Sequence, residues 1–366
     1  MINIKKIITI TSVVALSIGT LMAQGSEKYG TGVHGSGLRN GTAGASQLLI
    51  PQGAAYLTGG GAVANATGIG AAYWNPAGVA RAASGLETTF SNRSYIADMS
   101  VIHAGAAVKL GANAFAVSIR SIDVGEIPVT TVWAPDGTGE KFEPSNFTAG
   151  LTYSRAMSAK TSMGLTLNTS SEKFKRVGGT TISIDAGVQY QDFLDVEGLD
   201  VGVAVRNFGR PTRYEGSGLL VKAVALGSDR LTQLYQVQAA EADLPMLFEL
   251  GGSYSIGNSI TVSGTYESNN FEQDKLKLMG SYTLPGLAAV RVGLLQDMET
   301  VDFKDDPLTT TVDESDAKIE NIFAGASFGG SLYLQKMLGI NASLDFAYIP
   351  AKYFDGNTIF TLNVGF

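Results

Sequence analysis

The chain has 366 residues, of which 45 are glycine and 16% are charged, with no cysteine and a formal net charge of −7. The lack of cysteine excludes a disulfide framework and a lipid-modified N-terminal cysteine, and it leaves no plausible zinc constellation around His34 and His103. The acidic balance, without a basic cluster beyond the first residues, excludes an extended nucleic-acid surface.

The first 23 residues have the pattern of a signal peptide. Lys5 and Lys6 precede an apolar stretch that ends near Ala23 and is short for a spanning helix. We expect cleavage after Ala23 and export from the cytoplasm, with retention as a membrane helix as the alternative.

Residues 24–83 are rich in glycine and alanine and follow neither a strand nor a helix period. About sixty residues are too many for an ordinary connection, and the low charge argues against disorder. We therefore predict an N-terminal hatch, or plug, with a disordered periplasmic tail as the alternative. Five apolar side chains in it are candidates for lining a ligand pocket, or for simple packing of the plug: Leu48, Leu49, Ile50, Tyr56 and Leu57.

The most specific local sequence of the hatch is Trp74, Asn75, Pro76, Ala77 and Gly78. Pro76 disfavours the α-helical region for Asn75 and can itself begin a short helix. The small residues that follow would let this helix approach a wall closely. A plain turn before the first strand is the alternative.

Residues 84–366 break into about fourteen segments of roughly ten residues that alternate apolar with small or polar side chains, the dyad pattern of transmembrane strands. In one, Ile182, Ile184, Val188 and Tyr190 share a face that we expect to meet lipid, while Ser183, Asp185 and Gln189 share a face toward a lumen. Another predicted strand runs from Leu338 to Tyr348, and a weaker one lies near Ile322. A soluble sandwich would carry many Lys and Glu residues on its polar faces. The predicted fold is therefore all-β: a transmembrane antiparallel barrel with an N-terminal hatch.

The chain ends in an alternating strand, residues 358–366. An open apolar edge would invite aggregation, so we expect this strand to pair with the first one, near Leu86, and close the barrel. Phe366 is predicted to face lipid at this seam and to act as the barrel-insertion signal.

Three long loops, residues 126–146, 206–245 and 297–318, are predicted to face outward. Two contain exposed apolar stretches that are candidates for binding a protein partner, or for packing on neighbouring loops: Val132, Trp133 and Pro135, and Leu219, Leu220 and Val221. The third, which includes Asp302, Asp305 and Asp316, is acidic and is read as a solvated loop rather than a Ca²⁺ site. We expect no metal, no cofactor and no enzymatic activity.

With residues 74–78 behind a glycine-rich segment, the chain resembles the PorV/PorQ branch of the FadL-like outer-membrane proteins over most of residues 24–366. Weaker matches are Arg206 to Gly209, Asp243 to Pro245 and the closing Phe366. The resemblance implies a barrel of fourteen strands with a plug, embedded in the lipid of the outer membrane of a Gram-negative-type bacterium.

Two roles follow from this resemblance. PorV-like members serve type IX secretion, in which the barrel receives the C-terminal signal domain of a secreted cargo protein and delivers it to the attachment machinery. FadL-like members pass hydrophobic small molecules, such as long-chain fatty acids. We expect the secretion role, with cargo or machinery subunits as partners. The transporter role is the main alternative, and a purely structural envelope barrel is the third.

Overall fold

The structure, a computed structural model, describes residues 39–58, 60–224, 232–298, 321–323 and 325–366. The predicted signal peptide and the acidic residues Asp302 to Asp316 lie outside the described residues.

Antiparallel strands form the body of the molecule, and their order along the barrel is the order along the chain. The strands are β1 (Leu86–Ser94), β2 (Ser100–Leu110), β3 (Asn113–Asp123), β4 (Ile127–Pro128), β5 (Lys141–Phe142), β6 (Ser145–Ala156), β7 (Thr161–Phe174), β8 (Val177–Tyr190), β9 (Leu199–Gly209), β10 (Leu220–Ala223), β11 (Gln233–Gln236), β12 (Leu247–Ile256), β13 (Ile260–Asn269), β14 (Lys275–Leu284), β15 (Ala288–Asp297), β16 (Gly325–Tyr333), β17 (Ala342–Ile349) and β18 (Asn357–Gly365). Among the described residues, fourteen of these strands close into one barrel, while β4–β5 and β10–β11 form separate hairpins in two long loops. This confirms the predicted barrel and its strand number.

The two faces of each barrel strand differ as the alternation predicts. On β8, Ile182 and Ile184 are exposed outward, whereas Ser183, Asp185 and Gln189 are buried toward the lumen. The same holds for the outward Phe115, Val117 and Ile119 of β3. An outward apolar band around a polar interior is the pattern of a membrane barrel.

The barrel closes between β1 and β18, with a register that runs from Glu87 opposite Gly365 to Arg93 opposite Ile359. Phe366 extends this ladder beyond β18, because its N–H donates to the carbonyl of Leu86 at 2.8 Å and its own carbonyl accepts from the N–H of Leu86 at 3.2 Å. The predicted pairing of the last strand with the first is confirmed, and the side chain of Phe366 is exposed.

One predicted strand limit is wrong. The strand predicted from Leu338 begins only at Ala342, because Gln335–Leu338 is a helical turn that ends at Gly339 in the left-handed conformation, φ 71°. An apolar side chain at every second position continues across this turn and so conceals it. The weaker strand predicted near Ile322 is β16, which begins at Gly325, and Ile322 itself lies in the turn before it.

One end of the barrel holds Phe366 and short turns, and we call it the short-turn end. The other, the long-loop end, carries residues 124–144 and 210–246. Bacterial barrels keep short turns in the periplasm and long loops outside, which gives the expected orientation.

Ahead of β1, residues 39–58 and 60–85 include short helical turns and lie against the inward face of the barrel. The helical turns are Ser46–Leu49, Ala54–Leu57, Ala62–Asn65, Gly68–Gly70, Ala71–Trp74 and Pro76–Arg81. Their backbone reaches wall side chains on strands that stand four positions apart around the barrel. The N–H of Ala54 donates to Thr361 Oγ1 on β18 at 2.9 Å, and the N–H of Ala80 donates to Ser154 Oγ on β6 at 3.1 Å. That this segment acts as a plug stays a prediction.

No helix within the described residues is long and apolar enough to cross a membrane.

Candidate functional site

Asn75 anchors the N-terminal segment to the barrel wall. Its side chain is fully buried, and its Nδ2 lies 2.6 Å from the carbonyl oxygen of Val63, 3.1 Å from that of Val188 and 3.3 Å from that of Val203. Its Oδ1 accepts from the N–H of Ala77 at 3.1 Å and so caps the helical turn that begins at Pro76. The predicted short helix after Asn75 is therefore present.

Inward-facing glycines let this motif approach the wall. A Cβ on Gly187 of β8 would lie 2.0 Å from Asn75 Oδ1, and a Cβ on Gly164 of β7 would lie 2.4 Å from the carbonyl oxygen of Pro76. Real side chains do not tolerate such distances, so only glycine fits at these two wall positions. The side chain of Asn75 and the backbone of Pro76 thus lie directly against glycines of the wall.

A cavity of about 610 Å³, here called the chamber, lies between the N-terminal segment and the long-loop end. Its apolar lining comes from the segment, through Leu49, Ile50 and Trp74, and from the long-loop end of the barrel, through Leu247 on β12 and Phe271 in the turn after β13. The structure places each predicted hatch residue at a cavity. Leu49, Ile50 and Leu57 line the chamber, whereas Leu48 and Tyr56 line two separate cavities of about 20 Å³ each.

One wall of the chamber carries a buried ionic network from β9, β12, β13 and β14. Arg206 Nε donates to Glu249 Oε2 at 2.9 Å, and both side chains are almost fully buried. Lys277 lies 3.3 Å from Glu249 Oε1 and also pairs with Glu267. A second lysine, Lys275, pairs with Glu272. Each cation in this wall therefore has a carboxylate partner, as burial of charge requires.

The floor of the chamber joins this network to the hatch motif. The guanidinium carbon of Arg206 lies 4.5 Å from the ring centre of Tyr73 and 5.9 Å from that of Trp74. Trp74 Nε1 donates to the carbonyl of Gln52 at 3.0 Å, and the hydroxyl of Tyr73 lies 3.3 Å from the carbonyl of Leu49. Trp74 thus connects the wall to residues 50–53, here called the strap, and Tyr73 connects it to Leu49 directly before the strap.

Sequence reasoning missed the charged wall. It described the lumen as small and polar, whereas Arg206, Glu249, Glu267 and Lys277 bring full charges into it. The available signal was a charged residue at an inward position on several successive strands. Reading it required the register between strands, which the alternation of one strand does not contain.

The apolar loop stretches lie apart from the chamber lining. Val132 and Trp133 are 91% and 94% exposed at the tip of the β4–β5 hairpin, next to the exposed Pro135. Backbone hydrogen bonds across the hairpin hold this tip; in one of them the N–H of Val129 donates to the carbonyl of Glu140 at 2.8 Å. In the other loop Leu219 is half-buried, while Leu220 and Val221 are exposed on β10.

Two solved structures resemble this chain along most of its length. The CymD monoaromatic hydrocarbon channel aligns over 90% of this chain and 98% of its own, with a TM-score of 0.52 and 12% identity. The P. putida toluene transporter TodX aligns over 85% of this chain and 99% of its own, with a TM-score of 0.52 and 10% identity. The chain shares their fold. No protein-family model and no curated protein sequence matches it.

Proposed function

We propose that the chain is a FadL-like, non-enzymatic channel of the outer membrane that takes up hydrophobic small molecules. The observation that carries the proposal is the chamber of about 610 Å³ with apolar side chains from both the N-terminal segment and the strand ends. Its size falls in the range of small-molecule sites, about 300–1,000 Å³. Two proteins of the same fold, CymD and TodX, are a monoaromatic hydrocarbon channel and a toluene transporter, which supports the same role.

The fold suits such a role physically. Molecules that reach the long-loop end would enter the chamber and leave water for contact with Leu49, Ile50 and Phe271. Their further passage is obstructed by the strap and by residues 54–81, which lie across the lumen. On this proposal the N-terminal segment is a hatch that must shift for each passage, and the cleaved signal peptide delivers the chain to the periplasm.

Binding in the chamber can be measured through Trp74, since the chain has two tryptophans and the other is Trp133 in an outer loop. In a Trp133→Phe background, purified protein in lipid nanodiscs is titrated with toluene and with 1-dodecanol. We expect a saturable change in Trp74 fluorescence. Leu49→Asn, on the chamber, should weaken binding about tenfold by burying a polar group against the ligand. The matched change Leu234→Asn, on the exposed β11, should not. A fluorescence that no ligand changes would refute the proposal.

The secretion role is the second candidate, and the specific observation in its favour is the β4–β5 hairpin. Backbone hydrogen bonds hold this hairpin in shape, and Val132 and Trp133 at its tip are almost fully exposed. Exposed apolar side chains of this kind are typical of interaction surfaces. On this role, together with PorV/PorQ membership, cargo or a machinery subunit would contact these residues and Leu220. Trp133→Ala and Leu220→Asp should then each reduce recovery of cargo in pull-downs from cells. Unchanged recovery with the barrel intact would remove this candidate.

A further inference from the structure

The exposed charges at the long-loop end are unevenly distributed. Acidic side chains predominate over much of this end, and exposed examples are Asp98, Asp123, Asp136 and Asp355. Around the turn between β7 and β8, by contrast, Lys173, Lys175 and Arg176 are all exposed. Arg210 and Arg213 are also exposed, in the loop that follows β9. One sector of this rim is therefore positive in a chain whose net charge is −7.

An open pocket of about 670 Å³, here called the rim pocket, lies at the turn between β7 and β8. Its charged lining consists of the cations Lys173, Lys175, Arg176 and Arg213 and the carboxylates Glu172 and Glu215. Of the two carboxylates, Glu172 is buried, and its Oε2 accepts from the hydroxyl of Tyr214. The exposed part of the pocket therefore presents mainly positive charge.

Lys173 and Arg176 carry the free positive charge of the rim pocket. Within the described residues neither takes part in a salt bridge, whereas Lys175 lies 3.3 Å from Glu140, and Arg213 has a glutamate partner of its own. Both of these pairs are exposed, and exposed ion pairs are weak. An anion in the rim pocket would therefore meet two cations without a carboxylate and two that are loosely held.

The rim pocket begins where the lipid-facing band of the barrel ends. On β7 the exposed Leu165 and Leu167 face outward, and the alternation of the strand brings Lys173 to the same face. Phe147, which is exposed on the neighbouring strand β6, pairs with Ser171. Lys173 lies two residues beyond this pair, about 7 Å farther along the strand. A lysine at this point can keep its stem on the apolar band and its ammonium at the level of the lipid headgroups.

The chemistry of the rim pocket suits a phosphate that is attached to a sugar. Guanidinium and ammonium groups are the side-chain groups that bind phosphate. Ser171 and Thr180, which lie opposite each other on β7 and β8, and the exposed Glu215 offer hydrogen-bond partners for sugar hydroxyls. The volume falls in the range of sites for whole small molecules, about 300–1,000 Å³. A nucleic acid would need a longer row of cations than this pocket has.

We propose that the rim pocket binds the phosphorylated sugar headgroup of a lipid in the outer leaflet of the membrane. Lys173 and Arg176 hold the phosphate, while the acyl chains lie on the exposed apolar band along Phe147, Leu167 and Ile182. The site is on the outside of the barrel, so it is independent of the chamber. It adds a lipid-binding surface to the proposed channel.

Native mass spectrometry of the purified barrel in detergent micelles measures this binding. The probe is diphosphoryl lipid A, an acylated disaccharide that carries two phosphates. The comparison lipids are its fully dephosphorylated form, which lacks the charge, and phosphatidylglycerol, which lacks the sugar. We expect the wild type to retain one molecule of diphosphoryl lipid A and to bind both comparison lipids at least about tenfold more weakly.

Two double variants locate the site. Lys173→Gln with Arg176→Gln removes the two unpaired charges and should weaken the binding of diphosphoryl lipid A about 30-fold, because each cation near an anionic lipid contributes a factor of about five. Lys141→Gln with Lys222→Gln is the matched control, since both lysines are exposed at the same end of the molecule but do not line the rim pocket. The control should bind as the wild type does. Heat-modifiable migration checks that each variant is folded.

The outcomes are distinct. Equal weakening in the two double variants, or equally tight binding of the dephosphorylated form, would overturn the phosphate site. Equally tight binding of phosphatidylglycerol would overturn the sugar headgroup as its occupant. Displacement of the lipid by free glucose 1-phosphate would show that the pocket takes a soluble phosphorylated sugar rather than a lipid.

The same variants keep this proposal separate from the channel. In the Trp133→Phe background, the change of Trp74 fluorescence with toluene should be the same with and without the substitutions at Lys173 and Arg176. If toluene changes no fluorescence, the channel proposal falls and the rim pocket stands. If the lipid does not bind, the rim pocket falls and the channel stands.

Discussion

Replacing Asn75 by alanine should loosen the N-terminal segment from the barrel while the barrel itself stays folded. The side chain is the point where three stretches of the chain meet, since it reaches the carbonyls of Val63 in the segment and of Val188 and Val203 in the wall. It also satisfies the buried N–H of Ala77. Alanine removes all of these contacts at once and leaves a polar backbone group buried without its partner.

The expected cost follows from the contacts. The side-chain amide of Asn75 donates through its two N–H groups and accepts through Oδ1, so alanine removes about three hydrogen bonds. Each is worth about 1 kcal/mol, for a total of about 3 kcal/mol. A loss of this size raises the open population of the segment about 100-fold. Asn65→Ala is the matched control. Asn65 makes one such contact, from Nδ2 to Ser253 Oγ at 3.1 Å, and should cost about 1 kcal/mol.

Hydrogen exchange measured by mass spectrometry in nanodiscs checks both values. Peptides from residues 60–81 of Asn75→Ala should exchange about 100-fold faster than in the wild type, and those of Asn65→Ala about fivefold faster. Peptides from β16 and β17 should be unchanged in both. Equal exchange of residues 60–81 in the two variants would refute the assignment of Asn75 as the anchor.

Three further predictions concern the wall and the seam. Glu249→Gln should lower the free energy of unfolding by about 3–5 kcal/mol, because it leaves Arg206 buried without its carboxylate. Glu126→Gln, which removes one partner of an exposed pair with Lys141, should lower it by less than about 1 kcal/mol. Equal shifts of the urea midpoint in the two variants would contradict this prediction. Gly187→Ala should destabilise the N-terminal segment by about 2 kcal/mol in the wild type, since the new methyl group would meet the side chain of Asn75. In the Asn75→Ala variant the same change should cost much less. If hydrogen exchange shows that the two substitutions destabilise the segment additively, the clash lies elsewhere. Deletion of Phe366 should lower the amount of folded, heat-modifiable barrel in the membrane, and an unchanged yield would argue against its role as the insertion signal.

The sequence contains enough to predict the barrel because lipid and lumen impose a period of two on every strand. On β8, this period is enough to predict that Ile182 and Ile184 face outward, as the structure confirms. It also explains the error at Leu338, where a helical turn carries apolar residues that continue the alternation by coincidence.

The candidate site was less predictable because its parts are distant along the chain. The sequence of residues 74–78 predicts a close approach to a wall, but Asn75 meets Val188, 113 residues away, and no local pattern identifies that partner. The same holds for the strap, whose donors Arg93 and Arg120 are 42 and 70 residues from the carbonyls that they hold. An arginine at an inward position is visible in the sequence, but the carbonyl that it binds is visible only once the N-terminal segment lies against the strands.

The seam has a consequence for the order of assembly. The hydroxyl of Thr361 on β18 lies 2.9 Å from the backbone nitrogen of Ala54 and 2.9 Å from the hydroxyl of Ser91 on β1. One side chain therefore touches the first strand, the last strand and the N-terminal segment. Since β18 is synthesised after the other strands of the barrel, this three-way contact can form only once β1 and β18 have paired. This contact therefore couples the seating of the N-terminal segment to the closure of the wall.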